Sequence, residues 1–118
     1  MVELPVVFVV DDARSAGIPS GWQVVASVTS LVGPDAATIP ASAVSGHVSS
    51  VATIAGSPSS PDATARTTLH EPRPVLIAPM GQGDGRYEAT LNVRITVPAY
   101  SRPGAYAGNL SISVVSAP

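Results

Sequence analysis

The sequence predicts an all-β fold, an Ig-like antiparallel β-sandwich of about seven strands, on three observations. Twelve prolines and ten glycines are spread through 118 residues, leaving no window for a long helix, because proline breaks helices and glycine weakens them. The apolar residues between them recur with period two, as they do along a strand with one wet face. Turn-forming clusters (SAGIPSG, VGPD, GQGDG and PAYSRPGAY) punctuate the chain at sandwich-like spacing. No helical crossover separates the apolar runs, so antiparallel pairing is expected.

Taken in order, PVVFVV within the opening MVELPVVFVV is apolar on both faces, which predicts a central or doubly covered strand. WQVVASVTS follows, with Trp22, Val24, Ala26 and Val28 on one face. The stretch from 34 to 66 is rich in Ala, Ser, Thr and Gly. Val44, His47, Val48, Val51 and Ile54 are too apolar there for a solvated linker. One or two strands (around 44–51 and 52–55) with a Ser/Pro-rich loop around 56–66 are therefore favoured over a mostly irregular excursion. PVLIAP predicts a short strand, and GQGDG joins it to the next run as a hairpin loop would. In RYEATLNVRITVP, Tyr87, Ala89, Leu91, Val93, Ile95 and Val97 alternate with polar residues. This is the clearest strand in the chain. NLSISVV closes the pattern, with Leu110, Ile112 and Val114 in phase. The length predicts one domain over 1–118.

Composition excludes several classes of function. Only 12% of residues are charged, about half the usual share, and the net charge is -2. The six basic residues are all arginines, scattered along the chain. A nucleic-acid partner would need them clustered for phosphate neutralisation, so none is expected. Cysteine is absent, which removes disulfides, thiolate catalysis and thiolate-bound metal together. The N-terminal apolar run is too short for a membrane span. It also carries Glu3 where a signal peptide has positive charge.

The segment VVFVVDDARSAGIPSGWQVVASVTSLVG, with the later ATIPASAVS, resembles the WxL domain of bacterial cell-surface proteins. The shared features are an apolar strand, an Asp-Ala-Arg turn, a glycine-containing loop and a Gly-Trp that opens an alternating strand. The ending GRYEATLNVRITVPAYSRPGAYAGNLSISVVSAP is similar as well. The first family signature falls on Trp22-Gln23-Val24, with Val in place of Leu, and the second on Ile112-Ser113-Val114, without its Trp. The resemblance implies a β-sandwich at the cell surface and non-covalent binding to the cell wall through peptidoglycan.

Candidate site residues are few. Trp22 reads either as an aromatic platform for a glycan or as a packing residue, and its phase with Val24, Ala26 and Val28 favours packing. Val6, Val7, Phe8, Val9 and Val10 form the candidate subunit-contact strand, which would complete a neighbouring subunit's sheet. Asp11, Asp12, Asp35 and Asp84 offer oxygen ligands but lack the spacing of a calcium loop, so no metal or other cofactor is expected. Aspartate also serves turns by bonding the local backbone. His47 and His70 are the only imidazoles, and no serine sits in a nucleophile elbow. No catalytic residue is assigned, and no enzyme is expected. Tyr87 is in phase with the core, while Tyr100 and Tyr106 flank a turn.

These readings converge on a non-enzymatic structural or adhesive module of an extracellular surface layer or filament. Self-association through a sheet edge is its expected contact. The alternatives are a peptidoglycan- or glycan-binding wall module and a virion or tail decoration domain.

Overall fold

Alternating side chains build two sheets that face each other across an aliphatic core. The computed structural model describes residues 2–12, 21–56, 61–78, 85–99, 101 and 103–116. Ten strands lie among them: β1 (Val2–Asp12), β2 (Trp22–Val28), β3 (Leu31–Val32), β4 (Thr38–Ile39), β5 (Val44–Gly56), β6 (Asp62–Ala63), β7 (Thr67–Thr68), β8 (Arg73–Ala78), β9 (Gly85–Ile95) and β10 (Leu110–Ser116). All pairings are antiparallel. One sheet runs β1-β9-β5-β7 and the other β10-β2-β8-β6, with β3-β4 as a small third sheet. The fold is an all-β sandwich. Six of its strands are long, and the other four are two-residue pieces.

The core follows the predicted phase. Tyr87, Ala89, Leu91 and Val93 of β9 face Trp22, Val24 and Ala26 of β2, together with Val75, Leu76 and Ala78 of β8. Each is buried, and Val10, Val44, Val48 and Leu69 complete the cluster. No polar or charged residue is buried among the described residues. Tyr87 and Trp22 alone bring side-chain polar groups, a hydroxyl and an indole N–H, among these buried residues, so little of the desolvation cost of a polar core arises.

The sheets differ in length. Strands β1, β5 and β9 span 11, 13 and 11 residues, whereas β2, β8 and β10 span 7, 6 and 7. At about 3.3 Å per residue the longer sheet extends well past the shorter one. The radius of gyration, 16.3 Å, accordingly exceeds the roughly 13–14 Å of a compact chain this long.

Two expectations need correction, and one open choice is decided. The two-faced apolar run in β1 does not make it central, since among the described residues β1 is an edge strand paired only with β9. Two apolar faces allow double coverage, but the partner sheet is too short and the edge position too lateral to supply it. Of the one or two strands expected over 44–55, the chain forms one, Val44–Gly56, and the β9 pairing skips Ser49 and Ile54 as bulges. Bulges absorb the extra residues without ending a ladder. Finally, β8 and β9 are not a hairpin, because β8 pairs with β2 and β6 while β9 pairs with β1 and β5. The chain passes from one sheet to the facing one between them. Residues 81–84 of the GQGDG segment and most of the Ser/Pro stretch, 57–60, lie outside the described residues, and Gly85 opens β9. The remainder of the predicted loop contains β6, Arg66 and the approach to β7.

Candidate functional site

The two long flanks of the sandwich are built differently. On one, β5 approaches β6 and β8, and the segment from β6 to β7 crosses from the short sheet to the long one. Leu69 follows it, fully buried, donating its N–H to Val44 O at 3.0 Å and accepting from Val28 N at 2.8 Å. One residue thus ties both sheets, and this flank is closed at the Val44–Gly46 end of β5.

The opposite flank is bordered by β1 and β10, each paired on one side only among the described residues. Along the inward face of β1, Val10 is buried, Phe8 and Val6 are half-buried, and Leu4 and Val2 reach 47% and 44% exposure. Along the inward face of β10, Leu110 and Ile112 are half-buried and Val114 is 57% exposed. The outward face of β1 adds Val7 at 59% and Val9 at 53%. Single exposed aliphatics are ordinary, but a row of them along one strand edge is not. This flank is open and apolar.

The edge has charged ends, a proline near one of them, and a bare centre. Glu3 accepts from Nε and Nη2 of Arg94 at 2.9 and 2.7 Å, and Asp11 accepts from Nη2 of Arg86 at 2.9 Å. The Arg94 hydrogen bond and charge hold the Glu3 carboxyl below its ordinary range. Pro5 lies near the first of these pairs and removes a backbone donor. Charges and proline are the usual protection of an exposed edge. From Val6 to Val10 neither is present.

A polar cluster occupies the outward face of the long sheet. Arg66, half-buried, donates from Nη1 to Ser45 Oγ at 3.1 Å. Its Nη2 lies 2.6 Å from both His47 Nδ1 and Asn92 Oδ1. Burial, then the charges of Arg66 and Arg94, push the His47 imidazole below its ordinary value. This arrangement joins three separated segments and escapes local sequence patterns.

The structure scatters the other candidates. Trp22 is 3% exposed, with its ring centroid 6.1 Å from that of the buried Tyr87. A glycan platform needs an accessible ring face, and this ring packs inward. Val6, Phe8 and Val10 point to the core, while Val7 and Val9 point outward. Asp11 is engaged by Arg86, and Asp35 sits exposed on a single 3-10 turn with a left-handed φ of 54°. Asp84 and Tyr100 lie outside the described residues, and Tyr106 packs beside Gly33. His70 is exposed, with Nδ1 3.1 Å from Thr68 Oγ1. The histidines thus occupy different surroundings and form no shared site. Among the described residues no three acidic or imidazole groups converge as metal ligands, and no helix is long and apolar enough to cross a membrane. Compared with known proteins, the chain matches no family model, no curated protein and no solved structure.

Proposed function

We propose that this chain is a non-enzymatic structural module of an extracellular surface layer or filament, and that the β1 edge is its subunit contact. The observation that carries the reading is the unprotected stretch Val6–Val10 of an eleven-residue edge strand. An incoming strand satisfies the free backbone groups of such an edge and covers its side chains at the same time. Main-chain bonds supply affinity there, and the apolar side chains on both faces add buried area. The low charge and absence of cysteine suit a passive building block.

The experiment is sedimentation velocity over a wide concentration range, comparing the wild type with Val7→Lys/Val9→Lys. Both positions point away from the core, so the folding stability of the variant should stay within about 0.5 kcal/mol of wild type. The wild type is expected to associate and the variant to remain monomeric. A wild type that stays monomeric throughout refutes the reading. Deleting the strand is the wrong test, because it also removes Val6, Phe8 and Val10 from the core.

A further inference from the structure

The crossover that closes the second flank rests on few bonds. β7 meets β5 at two residue pairs, Thr68 with Ser45 and Thr67 with Gly46. Thr64 donates to Val75 O at 3.2 Å and, through Oγ1, to Pro74 O at 2.9 Å. Arg66 sits between these anchors and reaches from the crossover over β5 to β9. We propose that Arg66 and His47 form an acid-released latch, in which protonation of the imidazole frees the arginine and loosens the crossover from the long sheet.

The hydrogen bonds fix the chemistry. A guanidinium only donates. At 2.6 Å from Arg66 Nη2, His47 Nδ1 must accept, so the neutral ring carries its proton on Nε2. Protonating Nδ1 removes the acceptor and sets a donor against a donor. It also sets a cation against a cation. The charged groups facing the ring are Arg66 from the crossover, Arg94 from β9 and Glu3 from β1, while Asn92 and Ser45 are neutral. Glu3 is the one countercharge, and Arg94 already holds it through two donors. A charged ring therefore faces two cations and an engaged carboxylate.

The direction follows from linkage. Burial and the neighbouring arginines keep His47 deprotonated in the closed form below the ordinary imidazole value. The opened form binds the proton more readily, so the latch is fully closed above about pH 6.5 and weakens as pH falls through the lowered value. Release would strip β7 from Ser45 and Gly46. From His47 onward, the same side of β5 has no strand partner among the described residues. Acid would thereby lengthen a second open edge.

The test is amide hydrogen exchange at Thr67, Thr68 and Leu69, corrected for intrinsic chemistry and referenced to β9, between about pH 7.5 and about pH 5.5. Wild-type exchange in the crossover should rise on acidification by at least about twofold. His47→Gln, which keeps an acceptor but cannot titrate, should abolish the rise. His70→Gln, the control for the other imidazole, should leave it intact. A full pH response in His47→Gln, or its loss in His70→Gln, overturns the proposal. A second measurement does not depend on that variant folding. By nitrogen NMR, neutral His47 should carry its proton on Nε2, and Arg66→Met should move its titration toward the ordinary value. A proton on Nδ1, or an unmoved titration, overturns the latch as well.

Discussion

Replacing Trp22 by alanine is expected to destabilise the domain by about 3–5 kcal/mol, the range for removing a large buried aromatic. Domains of this size have about 5–15 kcal/mol of stability in total, so the variant should lie close to unfolding. The ring begins β2, faces Tyr87 across the core and packs at the level where Val10 is the most deeply buried residue of β1. Nothing else in the chain can fill the volume, because Phe8 and the three tyrosines are the remaining aromatics. Urea titration followed by circular dichroism reads the loss. Trp22→Phe, which keeps a ring against Tyr87, should recover more than half of it. A Trp22→Ala cost below about 1 kcal/mol would mean that the ring is not part of the core, since such small losses belong to surface positions.

That expectation rests on what was most legible in the sequence. The phase of Tyr87 to Val93 and of Trp22 to Ala26 identified the inward faces of the two sheets, because a two-residue period has one physical cause. Pairing was less legible. A turn between two strands reads the same whether they lie side by side or in facing sheets, which is why β8 and β9 looked like a hairpin. Two-faced apolarity in β1 was visible, but its cause was not, since coverage depends on the length of a distant sheet. A signal for the β1–β9 register was nevertheless present. Glu3 and Asp11 are eight residues apart, as are Arg86 and Arg94, and antiparallel pairing sets Glu3 opposite Arg94 and Asp11 opposite Arg86. The Arg66 cluster had no such marker. Its partners Ser45, His47 and Asn92 lie 21, 19 and 26 residues away, and only the assembled sheet brings them together.

These features give the two flanks opposite characters. One is tied at the start of β5 by the Arg66 crossover and Leu69, and the other is left with an apolar edge. A building block that joins copies through one edge benefits from keeping its second edge partly covered and irregular, because two long regular edges permit uncontrolled growth. The bulges at Ser49 and Ile54 act in the same direction by breaking the regular ladder of β5. The outward polar cluster and the inward packing of Leu69 therefore serve one element from opposite sides of the sheet.

Leu69→Ala should expose that division by costing about 2–5 kcal/mol. Leu69 is fully buried, and its side chain occupies the space that an inward-facing β5 residue would otherwise fill. Gly46 is what leaves that space open. A Cβ at Gly46 would lie 2.9 Å from Leu69 Cδ1 and 3.3 Å from Leu91 Cδ1, and both leucines are fixed in the core. Two effects compete in Gly46→Ala. Lower chain entropy in the unfolded state favours alanine by about 0.4–1 kcal/mol, whereas overpacking costs about 1–3 kcal/mol. The clash wins, so Gly46→Ala alone should destabilise. In a Leu69→Ala background the obstructing methyl is gone, and the added Cβ enters the cavity that the first change created. Gly46→Ala should then stabilise. The double-mutant cycle is expected to give a favourable coupling of at least about 1 kcal/mol, within the range for residues in contact. Independent, additive losses would show that Leu69 and Gly46 do not share this space, and that the crossover is held to the long sheet by its backbone bonds and Arg66 alone.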